Sequence, residues 1–169
     1  MINIKVNIVV GGRFHASQIY NALKKNNIDA KIYSSSPAHY FKDVPRNDIF
    51  FIPKLFQFIQ KVFKIRLPRL LHDFDKFIFG NICKYLMRDA DILWGFNGDS
   101  LEVAKKIKKN NKFFILDRAC PHINYQQRIL EEESKKISYV FEKHSQKSLN
   151  KYIQEYNLAD LIVVPSNYS

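Results

Sequence analysis

The sequence predicts a doubly wound α/β domain with a mostly parallel sheet. Three observations carry this. Short β-branched apolar runs recur along the chain, each followed by an amphipathic stretch of helical period. The first run, Val6 to Val10, stops at Gly11-Gly12, where a strand can turn sharply into a helix. With 169 residues, 46% of them apolar, the chain can bury one core of ordinary domain size.

The elements follow in order. Residues 5–10 read as a buried strand. Residues 15–25 read as a helix, with Ala16, Ile19, Tyr20 and Leu23 on one face and Asn26-Asn27 ending it. Residues 30–34 form a second strand, closed by Ser34-Ser35-Ser36-Pro37. This β-α-β unit implies parallel strands and a right-handed crossover. The rhythm returns with a strand over 91–94 and a loop over 95–98. A helix over 100–109 follows, capped by Asp99 with Glu102 in capping-box position. A strand over 113–117, helices over 123–133 and 145–156, and a last strand over 161–164 complete the series, stopped by Pro165. Alternation of this kind is Rossmann-like.

One region differs. Residues 41 to 87 read as a helical insert within a single domain spanning 1–169. Ile52, Leu55, Phe56, Ile59, Val62 and Phe63 recur at helical spacing, with Lys54, Gln57, Lys61 and Lys64 opposite. Residues 70–86 form its second helix, with Gly80 a candidate break. The basic amphipathic stretch Ile52 to Arg66 fits either an anionic membrane surface or a face packed on the core with solvated lysines.

The formal charge is +11. It favours a polyanion, an anionic membrane or a phosphate-bearing ligand, or else reflects a lysine-rich solvated surface. No nucleic-acid-binding module accompanies the charge, so nucleic acid is not an expected partner. Cys83 and Cys120 stand far apart in no metal spacing, which fits a reduced, cytoplasmic chain. No run reaches the roughly 18 apolar residues of a membrane span. The N-terminus lacks a signal peptide's apolar core. His15, His39, His72, His122 and His144 include no pair at zinc-ligand spacing, so no metal is expected.

In α/β sheets ligands bind beyond the carboxyl ends of the strands. The loops to examine are therefore 11–14, 95–98, 118–122 and 165–169. Gly11 and Gly12 open a helix whose N–H groups suit a phosphate, and Arg13 adds a fixed cation. The same glycines also fit a tight turn that needs them for its dihedrals alone. A dinucleotide site is disfavoured: the run Gly11-Gly12-Arg13-Phe14-His15-Ala16 is not G-x-G-x-x-G, and Tyr33-Ser34-Ser35-Ser36 holds no ribose-binding acid. Glu131-Glu132-Glu133 reads as the solvated end of a helix. Asn97, Arg118 and His122 are candidates by their position on the ligand rim.

Three segments together resemble group 1 (family 4) glycosyltransferases of the two-domain GT-B fold. They are the strand, Gly11-Gly12-Arg13-Phe14-His15-Ala16 and helix; Leu116-Asp117-Arg118-Ala119-Cys120-Pro121-His122 with Gln126 and Ile129 to Glu133; and Glu155 to Ser166, similar to the family's "E…AD.I.VPS" segment. The resemblance runs from Val6 to Ser169. It implies the N-terminal, acceptor-side half of such an enzyme. The C-terminal donor-binding domain, with its E-x7-E motif, lies outside this sequence. His122 then resembles the catalytic histidine that contacts the transferred sugar. Gly11 and Gly12 would face a cleft near the donor diphosphate or acceptor. The resemblance implies retaining transfer of a hexose from a nucleotide-sugar to a glycan or lipid-linked acceptor. No cofactor takes part, and the donor's own phosphate assists the incoming hydroxyl. The chain is expected to be inactive alone and to need a partner chain supplying the other half, at the inner face of the membrane. The alternatives are a non-catalytic recruiting subunit at a membrane surface and an unrelated Rossmann-type nucleotide-binding protein.

Overall fold

The computed structural model describes residues 4–12, 14–36, 41, 44, 46–48, 62, 69–141 and 143–166, with backbone only at 46–48 and 69–73. The elements are β1 (Lys5–Val10), α1 (Ala16–Lys25), β2 (Asp29–Ser34), β3 (Arg46–Asp48), α2 (Arg69–Leu86), β4 (Ile92–Phe96), α3 (Leu101–Lys109), β5 (Phe113–Asp117), α4 (Ile123–Lys136), α5 (Gln146–Leu158) and β6 (Leu161–Val163). The strands form one sheet in the order β3-β2-β1-β4-β5-β6. Every neighbouring pair is parallel.

The alternation along each strand explains the two layers. Val6, Ile8 and Val10 turn to one face and pack with Ala16 and Tyr20 of α1. Val9, Leu93, Phe114 and Leu116 turn to the other and pack with Phe79, Cys83, Val103, Ala104 and Ile107 of α2 and α3. Both faces are covered, so β1 is buried from Val6 to Val10, with Asn7 the one polar residue in an otherwise apolar run. Asn27 and Asn111, with φ of 58° and 53°, take the left-handed conformation that ends α1 and α3.

Arg88 ties the edge opposite the rim. Its guanidinium donates to the Asp29 carboxylate at 2.7 Å and the Asp29 carbonyl at 3.0 Å. Asn7, fully buried, donates back to the Arg88 carbonyl at 2.8 Å. The Arg88 pair holds the Asp29 carboxyl below its ordinary range.

The structure departs from the sequence reading in four places. Gly95 and Phe96 belong to β4, not to the following loop. A Cβ on Gly95 would lie 2.4 Å from the Ser100 Cβ, so glycine lets the start of α3 close onto the strand. Asp99 does not cap α3: Ser100 occupies that place, and Glu102 pairs with Lys105 at 3.2 Å. Helix α2 runs unbroken through Gly80, because burial on α3 outweighs glycine's propensity cost of about 1 kcal/mol. The region read as a helical insert also contributes the edge strand β3. Apart from Val62, the stretch from Ile52 to Arg66 lies outside the described residues.

Candidate functional site on the carboxyl rim

In an all-parallel sheet every strand ends on the same side. The loops after β1, β2, β4 and β5 therefore share one rim. The strand order reverses direction between β1 and β4, which places the topological switch point at Gly11 and residues 97–100.

At the switch point the Gly11 N–H donates to Asp99 Oδ2 at 2.8 Å. Ser35 Oγ donates to the Gly11 carbonyl at 2.7 Å. A Cβ on Gly11 would sit 2.7 Å from Asp99 Oδ2, and one on Gly12 would sit 2.7 Å from the Phe14 ring. What comes close to these glycines is thus the protein's own carboxylate and its own aromatic ring. Lys76 stands 3.9 Å from Asp99 Oδ1 and donates to the Tyr152 hydroxyl at 3.3 Å. Desolvation opposes the Lys76 charge, but Asp99 and Tyr152 outweigh it and raise its pKa.

The loop after β4 is braced from below by Glu155 of α5. This carboxylate is fully buried. It accepts from Asn97 Nδ2 at 2.7 Å, Gly98 N at 2.5 Å, Ser100 N at 3.0 Å and Ser100 Oγ at 3.2 Å. Burial pushes its pKa up to about 7, against the pull of the donors and of Lys151. Asn97 passes the brace on: its Oδ1 accepts from the Arg118 guanidinium at 2.8 Å. Arg118 also donates to the Pro121 carbonyl and to Gln126 Oε1, at 3.1 and 2.8 Å. Arg118 is buried, with every guanidinium nitrogen engaged. Asn97, Gly11 and Arg118, picked from the sequence as ligand contacts, therefore build the rim.

Among the described residues, two imidazoles remain open on the rim. His122 is exposed and caps α4, its Nδ1 accepting weakly from Asn124 N at 3.4 Å. Its ring rests 4.8 Å from that of Tyr156. With Nδ1 accepting, the neutral ring carries its proton on Nε2 and offers a donor outward. His15, just before α1, is half exposed, with Nε2 2.8 Å from Asp117 Oδ2. Trp94 Nε1 donates to the same oxygen at 3.0 Å. Sequence reasoning passed over His15, Asp99, Asp117 and Glu155 as site residues. His15 lay inside the quoted glycine segment, and that was the available signal. Arg13 lies outside the described residues.

A depression of about 550 Å³ lies elsewhere, bordered by Lys84, Lys105, Lys106, Lys108 and Lys109. The crossover carries the end of α3 to the opposite edge of the sheet, so this is not part of the rim. Among the described residues, no cluster of three His, Cys, Asp or Glu could hold a metal ion. No described helix is long and apolar enough to cross a membrane.

No protein-family model matches the chain, and no curated protein does. Among solved structures, one from Listeria monocytogenes assigned as a UDP-N-acetylglucosamine 2-epimerase is similar over 99% of this chain, at 13% identity and a TM-score of 0.52. The chain spans 41% of that structure's length. A threonine deaminase from T.th. aligns at 10% identity with a TM-score of 0.27, too low to carry an argument. The first likeness is one of fold, and with the sheet order it defines a Rossmann-like α/β domain.

Proposed function

We propose that this chain is the acceptor-side domain of a glycosyltransferase that uses a nucleotide-sugar donor. The observation that carries the reading is the switch-point rim, where buried braces leave imidazole edges exposed. Such a surface has hydrogen-bonding edges for sugar hydroxyls, backed by aromatic rings. The resemblance of the Glu155 to Ser166 segment supports the same reading. So does a fold neighbour whose name refers to a UDP-sugar. In this reading Arg118 and Asn97 hold the rim rigid, His122 contacts the sugar through Nε2, and Gly12 borders the cleft. The rate gain comes from positioning and from stabilising the leaving diphosphate, most of whose contacts belong to a donor domain. The implied outcome by family resemblance is retention.

The test is a histidine-resolved NMR titration of the whole chain with N-acetylglucosamine, chitobiose and UDP at millimolar concentrations. Sugars are expected to move the His122 ring signals, and UDP alone to give no saturable response. His122→Ala, at an exposed position, should lose the sugar response while remaining folded. Tight binding of UDP by this chain alone, or silence of the rim toward every sugar, overturns the reading.

A further inference from the structure

We propose that Phe14 is a stacking platform for one pyranose ring on the rim, with a C–H face of the sugar lying flat on the phenyl group. This rests on the transferase reading above and gives the sugar a place beside the first glycine loop. Phe14 follows that loop, just before α1. Its φ is 37°, in the left-handed region that a bulky side chain adopts only at a cost. Asn27 and Asn111 make the same kind of bend elsewhere in the chain, with a residue type that tolerates it. Strain of this sort persists where the surroundings hold it, and it gathers at ligand-binding positions.

The bend places the ring on a rigid backing. Phe14 stacks on Phe96 at 5.4 Å between centroids, with 26° between the planes. Phe96 ends β4 and is itself buried. A Cβ on Gly12 would come within 2.7 Å of the Phe14 ring, so that glycine leaves the ring its place. One face is backed in this way, yet Phe14 stays 56% exposed. A lone apolar side chain on a surface is ordinary. One held there by a strained backbone, against a buried ring, is not explained by burial.

The surroundings select the ligand. Among the described residues, Phe14 is the one exposed large hydrophobic in the loops after β1, β4 and β5. An acyl chain needs a continuous apolar groove, which a single ring does not supply. The neighbours are polar: Ser35 and Ser36 donate to the Gly11 carbonyl at 2.7 and 3.4 Å, and the half-exposed His15 is next in the chain. A pyranose matches this pattern. Its C–H bonds carry slight positive charge and meet the negative face of the ring, while its hydroxyls point outward to hydrogen-bonding groups. Stacking orients the sugar and places no demand on the stereochemistry of transfer.

Proton NMR of chitobiose with the full chain tests this. With wild type and Phe14→Trp, the sugar protons of one face are expected to shift upfield on binding. Phe14→Leu keeps an apolar contact with Phe96 but has no aromatic face. It should lose the upfield shift and bind chitobiose roughly three- to tenfold more weakly, read at the His122 ring signals. If Phe14→Leu fails to fold, the wild-type and Phe14→Trp spectra still decide. Chitobiose that moves His122 without an upfield shift, or that binds Phe14→Leu as tightly as wild type, overturns the platform and leaves the transferase reading. Upfield shifts on the uracil protons of UDP, with none on chitobiose, overturn the platform as a sugar site. A rim silent toward every sugar overturns the transferase reading, and the platform with it.

Discussion

Glu155 shows how one residue sets the properties of the rim. Its carboxylate is fully buried, and burial raises its pKa to about 7 from an ordinary value near 4.5. Between those two values the folded state binds more protons at this group than the unfolded chain does. Stability from this group is therefore fully present below about pH 4.5 and is lost as pH rises through about 7. A shift of this size is worth about 3 kcal/mol. Urea midpoints should fall between pH 5 and pH 8, and Glu155→Gln should flatten that fall. Because glutamine turns an amide toward N–H donors, Glu155→Gln should also cost about 1–3 kcal/mol at pH 5. A flat wild-type profile would show that the four donors outweigh desolvation. The same residue marks the limit of sequence reading. Glu155 stood out within a segment, but its partners Asn97, Gly98 and Ser100 lie 55 to 58 positions away. No local period signals such a contact.

At the scale of elements, α5 matters because it carries that carboxylate to the rim. It is held by Ser145, whose Oγ accepts from Ser148 N at 3.1 Å, and by Ser148 itself, which is buried. Ser145→Ala should cost about 1 kcal/mol of global stability in a urea titration. The His122 cap of α4 differs: at 3.4 Å on an exposed ring it is weak. His122→Ala should stay within about 0.5 kcal/mol of wild type in the same titration, so its sugar phenotype would not be a folding defect. Most elements were legible because their signals are local. Period, β-branching and the Asn26-Asn27 stop placed α1 and its flanking strands to within a residue. The short β3 was not legible, because an edge strand of three residues owes its existence to pairing with Ile32, Tyr33 and Ser34. The cap of α3 was misread because Asp99 is drawn to the Gly11 N–H, a partner 88 positions away. A capping rule cannot see a tertiary competitor.

At the scale of the whole molecule, the +11 charge competes with individual ion pairs. The cations Lys106, Lys108 and Lys109 gather at the end of α3, where they face the negative pole of the helix. Lys108 reaches Asp160 at 2.6 Å, which lowers the Asp160 pKa with help from the Phe114 N–H. Exposed pairs such as Lys136 with Glu133, at 2.6 Å, contribute little, and salt weakens them. The net repulsion acts across the whole domain. At 10 mM salt the screening length is about 30 Å, longer than the molecule's radius, so like charges on opposite faces still repel. At 300 mM it shrinks to about 5–6 Å, and only neighbours interact. The self-repulsion removed is on the order of a few kcal/mol, larger than the few tenths lost at each surface pair. Unfolding spreads the same charges apart, so this repulsion weighs mainly on the folded state. The melting temperature at pH 7 is therefore expected to rise by about 2–5 °C between 10 and 300 mM sodium chloride. A fall would mean that the ion pairs dominate, and that the lysines around α3 are held by more specific contacts than their exposure suggests. The rim should be indifferent to the same change, because the Glu155 and Arg118 side chains that brace it are buried and little screened.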